Sequence, residues 1–203
     1  MTKTVFPKAI KSRPIYGELT PRPGAAHLAI ADGEGAAALV DLVAKAGTGM
    51  RATLHIIYTP GSNGIDFGDR LKTLGAPQLY LSPTFPAALP RLRRVLADAH
   101  MGMQFYLAGT EGLMGQAERE IMETGFPFSA IQKEHRGSTA RRMQCVHCKG
   151  ITENVRHDPF PCSHCQRHLF VRDHYSRRIA AFQGVAIDAE DPGKVPPSLE
   201  RFT

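Results

Sequence analysis

The chain has 203 residues, 42% of them hydrophobic, and carries a formal charge of +6. No apolar run approaches the length needed to span a bilayer, and Met1-Thr2-Lys3-Thr4 is not followed by the apolar core of a signal peptide, so a cytoplasmic protein without a membrane partner is expected. The length suits one ordinary domain plus a small module.

Residues 1–25 are proline-rich and lack periodicity, which reads as an extended arm. Residues 26–136 are regular. His27 to Ala31 is a short apolar strand, and Asp32-Gly33-Glu34-Gly35 is a turn. Ala36 to Ala46 places Ala36, Leu39, Val40 and Val43 at helical spacing. A strand over Ala52 to Tyr58 stops at the turn Thr59 to Gly64, and Asp66 to Leu74 is a helix closed by Gly75. There follow a strand at Gln78 to Leu81, a basic helix at Ala87 to Ala99, a strand at Met103 to Ala108, a helix at Glu111 to Thr124 and a last strand at Phe128 to Glu134. This alternation predicts an α/β fold, a parallel sheet with helices on both faces. In such a sheet the ligand crevice lies beyond the carboxyl ends of the strands, here at Asp32 to Gly35, Tyr58 to Ser62, Ser82 to Thr84 and Ala108 to Gly112.

A second, basic module is expected at residues 140–178, followed by a tail at 179–203. Lys133 to Arg178 holds ten lysines and arginines against four acids, and six of the nine histidines. All four cysteines fall here in two pairs, Cys145-Val146-His147-Cys148 and Cys162-Ser163-His164-Cys165. Each pair lets a tight turn aim two thiolates to one side, and two facing turns complete a tetrahedral four-sulfur site for zinc or a mononuclear iron. Two disulfides are the competing reading, disfavoured without a secretory signal. Gly150 falls one residue late for a rubredoxin-type loop and aromatic residues are few, so zinc is favoured over iron. His147 and His164, inside the knuckles, are expected to point outward. Arg172, Asp173, His174, Arg177 and Arg178 form a charged cluster that is either a solvated face or a docking surface or brace.

The run from Gln104 to Met114, with Ala29 to Gly35 and Leu54 to Tyr58, resembles the nicotinamide-nucleotide domain of ferredoxin reductases of the phthalate dioxygenase and vanillate demethylase type. Where that family has glycine and Thr-Pro around the pyrophosphate, this chain has Asp32 and Ala36-Ala37, and Glu34 adds a second carboxylate. Two carboxylates at a helix N-terminus oppose a dianion. The turn Asp32, Gly33, Glu34, Gly35 is therefore expected to be degenerate, with no cofactor bound there and no catalytic residue in the chain.

The spacing of Cys145, Cys148, Cys162 and Cys165, with Leu169 to Arg178 and Gly184 to Gly193, resembles the small subunit of bacterial dimethylamine monooxygenases. That resemblance implies an accessory subunit of a multicomponent enzyme that oxidatively N-demethylates dimethylamine to methylamine and formaldehyde with NAD(P)H and O2. It implies a partner subunit carrying FMN and [2Fe–2S], and an oxygenase subunit carrying haem. The rival reading from another class is a zinc-ribbon nucleic-acid-binding protein. The basic excess favours it, but no aromatic base-stacking platform accompanies that charge.

Overall fold

Three nearly continuous apolar runs, β1 (Ala26–Asp32), β2 (Leu54–Thr59) and β4 (Met103–Gly109), are buried on both faces, as central strands of a parallel sheet must be. With β3 (Gln78–Leu81) and β5 (Ile131–His135) they form a five-stranded parallel sheet in the order β3-β2-β1-β4-β5. Alternate side chains go to opposite faces. Ala29, Ala31, Ile56, Tyr58 and Tyr106 pack with residues of α1 (Gly35–Lys45) and with Leu71 of α3 (Gly68–Lys72). Leu28, Ile30, Ile57, Phe105 and Leu107 pack with α4 (Phe85–Ala97) and α5 (Glu111–Glu123). The helices therefore cover both faces, as the alternation of elements predicts. The computed structural model describes residues 13–62 and 64–203.

Element boundaries depart from the sequence reading where local chemistry intervenes. The turn α2 (Thr48–Ala52) occupies the expected start of β2. The helix α4 begins two residues early, because Thr84 accepts a hydrogen bond from the Ala87 N–H and Pro86 suits the first turn. A 3-10 turn over Phe128–Ala130 takes the expected start of β5. Residues 15–25 run without helix or strand beside β5. The Gly17 N–H donates to the Lys133 carbonyl, Leu19 N–H to Glu134 Oε2 at 2.7 Å, and Leu19 is buried. Residues 1–12 of the expected arm lie outside the described residues.

The chain divides into two compact units, one of Ile15–Gly137 and the other of Ser138–Thr203 with residues 13–14. The second unit is built on a five-stranded sheet in the order β7-β6-β11-β10-β9, from β6 (Arg141–Cys145), β7 (Ile151–Val155), β9 (Phe160–Pro161), β10 (His168–Ser176) and β11 (Ala181–Ala186). Its core is Met143, Val155, Phe160, Leu169 and Phe182, packed with Cys145 and Cys162. The strand β11 lies in the middle of this sheet although it falls within the segment read as a tail. It bonds antiparallel to β10 and parallel to β6, pairings that only the folded chain supplies. The residues after it also return to this unit. Strand β12 (Leu199–Glu200) pairs with β8 (His157–Asp158), and Phe202 and Phe182 lie 4.4 and 4.2 Å from the Arg141 guanidinium.

Candidate metal centre

Each cysteine pair closes the same local loop. The Lys149 N–H donates to the Cys145 carbonyl and the Cys145 N–H to Gly150; the Gln166 N–H donates to Cys162 and the Cys162 N–H to Arg167. Lys149 and Gln166, immediately after each pair, both take the left-handed conformation, at φ of 64° and 60°. Two matching turns thus present four sulfurs to one point. All four Sγ atoms lie within 4.8 Å of one another, with Cys145 to Cys165 at 3.9 Å and Cys148 to Cys162 at 3.7 Å. A tetrahedron with metal–sulfur bonds of about 2.3 Å has an edge of about 3.8 Å. A disulfide needs about 2.0 Å. The residues therefore fit a tetrahedral ion.

The electrostatics point the same way. The Gly150 N–H draws the Cys148 thiol down, but desolvation and the three neighbouring thiols push it up to about 11. Burial raises Cys162, yet the N–H groups of Cys165 and His164 and the thiols of Cys165 and Cys148 bring it down to about 6. Cys162 ionises at the expense of Cys148. A divalent cation at the centre is what would let all four be thiolates together.

His164 turns away from the sulfurs. Its Nε2 is 2.9 Å from the Ile151 carbonyl, and its ring covers Gly150, where an added Cβ would sit 2.5 Å from the imidazole. His147 is exposed. In the charged cluster Asp173 turns inward and accepts from Arg141 at 2.6 Å and Arg13 at 2.5 Å. Their guanidinium groups outweigh its burial and hold its carboxyl below the usual range. Arg172, His174, Arg177 and Arg178 stay exposed. Asp173 is thus a brace, a role that spacing alone left open.

In the first unit the strand-end turn is stitched shut. Sheet order reverses between β1 and β4, so the crevice of this fold class lies at Asp32. Asp32 is only 7% exposed. Its Oδ1 accepts the Thr110 N–H at 2.8 Å and its Oδ2 the Thr110 hydroxyl at 2.6 Å. The carboxylate is pressed onto Gly109, where a Cβ would meet Oδ1 at 1.9 Å. Gly35 opens α1 against β4 so closely that a Cβ would stand 2.4 Å from the Ala108 carbonyl oxygen. The Gly33 N–H bonds the Thr59 carbonyl, and Glu34 precedes α1 without a side-chain capping bond. Thr110 is the residue sequence reasoning missed as Asp32's partner. Its only local signal is its place as N-cap of α5.

Residues 8–131 match the family described as dimethylamine monooxygenase subunit DmmA-like, N-terminal domain, and residues 142–185 match its C-terminal domain. The heme-dependent oxidative N-demethylase delta subunit of Ectopseudomonas mendocina (strain ymp) is 27% identical over 146 residues, 70% of this chain and 83% of that protein. Among solved structures, phthalate dioxygenase reductase is similar at 15% identity with a TM-score of 0.46, over 66% of this chain and 45% of that one. A type IV self-sufficient cytochrome P450 monooxygenase is similar at 17% identity with a TM-score of 0.43, over 80% of this chain and 27% of that one.

Proposed function

The chain belongs to the dimethylamine monooxygenase subunit DmmA-like family, and we propose that it is an accessory subunit of a multicomponent N-demethylating monooxygenase. The observation that carries this reading is that both family domains follow one another in a single chain, at residues 8–131 and 142–185. In the proposed reaction, dimethylamine, O2 and NAD(P)H with a proton give methylamine, formaldehyde, water and NAD(P)+. The hydride acceptor is a partner subunit with FMN and [2Fe–2S], and the oxygen chemistry belongs to a partner with haem. The assembly is cytoplasmic. Among the described residues, no helix is long and apolar enough to cross a membrane.

Two features support an accessory role. At the carboxyl ends of the strands the Asp32 carboxylate is bonded to both the N–H and the hydroxyl of Thr110, which supports a unit that serves by its shape rather than by a nucleotide. Cys145, Cys148, Cys162 and Cys165 would hold one ion. Zinc would supply a structural cross-link, and iron a one-electron couple between partners. We favour zinc. Asp173 with Arg13 and Arg141 steadies the surrounding strands in either case.

Co-expression with the flavin/iron–sulfur and haem subunits tests the reading. The expected result is a co-purifying complex whose dimethylamine-dependent NADPH oxidation is lost when this chain is left out. A chain that stays apart from both partners and binds RNA at physiological salt would establish the nucleic-acid reading instead. Absorbance of the purified chain decides the ion: a bleachable ferric–thiolate band means iron, and a colourless protein with one equivalent of zinc means a structural site.

A further inference from the structure

At the end of the α/β unit opposite Asp32, the starts of the strands and the last turns of α4 line an open cavity of about 670 Å³. Among its lining residues are His27 on β1, His55 on β2 and Gln78 on β3, with Arg91 and Arg94 on α4 and His100 after it. His55 is 7% exposed, and its Nε2 is buried with no hydrogen-bond partner. Arg91, which lines the same cavity, has a buried Nε with no partner, although its Nη2 donates to Gln78 Oε1 at 2.8 Å. Two polar nitrogens left unsatisfied in one cavity are costly, and a native fold retains such groups where something else completes them.

We propose that this cavity binds the oxyanion group, a carboxylate or phosphate, of a small molecule, held between His55 Nε2 and Arg91 Nε. The charges around the cavity favour an anion. Asp98, the one acid in its lining, lies 3.4 Å from Arg94, which leaves Arg91 without a carboxylate there. The C-terminal carbonyls of α4 oppose an anion at this end. Two of them are already bonded, Arg94 by the Asp98 N–H and Leu96 by the Ala99 N–H. Val95, Ala99, Met101 and Met103 add apolar wall for the rest of such a molecule. Burial first, and then the Arg91 charge, hold His55 down at about 4. A bound anion screens that charge, so binding is accompanied by a rise in the His55 titration midpoint. Arg91, Arg94, Asp98, His27 and His100 are the other ionisable groups lining the cavity. This site is separate from the metal centre and does not depend on the role proposed for the complex.

The test titrates the intact, metal-loaded protein with inorganic phosphate and, separately, with acetate. Affinity is read by calorimetry and location by the imidazole nitrogen resonances of His55. The expected result is saturable binding of one anion that moves the His55 Nε2 signal, weakened about tenfold or more by Arg91→Gln at unchanged helical content. His55→Gln gives an independent second variant with the same expected loss. Stronger binding of phosphate assigns a phosphoester ligand, and stronger binding of acetate a carboxylate. Absence of binding by either anion up to about 10 mM, or binding that both substitutions leave untouched, overturns the proposal.

Discussion

Asp32 shows how one side chain can redirect a site. In sequence it is a carboxylate at a glycine turn, unfriendly to an incoming phosphate. In the structure it is a clasp, taking both the N–H and the hydroxyl of Thr110. Burial raises its pKa above the ordinary 3.8, and the Thr110 hydrogen bonds only partly offset that. A carboxyl whose folded pKa is raised favours the folded state most when protonated. Its contribution is complete below the ordinary value and declines as pH rises through the raised one. Asp32→Asn removes this titration while retaining an acceptor for the Thr110 N–H. The variant should therefore gain stability relative to the parent as pH climbs from 3.8 upward. Asp32→Ala leaves the Thr110 N–H without its acceptor and should cost about 1–3 kcal/mol below pH 3.8, a cost that shrinks at higher pH as the parent loses its own Asp32 contribution. Urea denaturation followed by circular dichroism across that range checks both, and equal pH profiles for parent and Asp32→Asn would remove Asp32 as the titrating group.

At the scale of elements, β11 decides the second unit. Read alone, residues 179–203 have no period, because the strand is only six residues long and its buried residues, Ala181, Phe182 and Gly184, do not alternate with exposed ones. Between β6 and β10 the same residues become the middle of a sheet. Phe182 is 1% exposed, meets Tyr175 edge to face at 5.0 Å and lies under the Arg141 guanidinium. Phe182→Ala should cost this unit about 3–5 kcal/mol, the range for emptying a buried phenylalanine site. Hydrogen exchange at β6 and β10 amides reads the effect directly. A loss below about 1 kcal/mol would mean that the metal, not the aromatic core, holds these strands.

For the molecule as a whole, separate cores imply separate stabilities. The first unit buries two apolar layers against its sheet. The second has a single small cluster that includes two of the four cysteines. Small cores depend on a staple. Removing the ion with a strong chelator should therefore lower the melting of the second unit and leave that of the first within about 2 °C. Scanning calorimetry with and without chelator checks this, and one shared transition shifting as a whole would show instead that the two units unfold together.

Much of this protein was legible one residue at a time. Apolar runs separated by helical periods announced the parallel sheet, and paired cysteines at a spacing of three announced two knuckles. These signals survive in sequence because strands, helices and tight turns are set by neighbours within a few residues. What sequence could not announce depends on chain segments meeting from afar. Asp32 and Thr110 are 78 residues apart, and Asp173 meets Arg141 across 32. His55 and Arg91 come to one cavity only after α4 packs against the sheet face of which β2 is part. Sheet order, and the register within it, determine which distant side chains become neighbours, and both are properties of the folded chain alone.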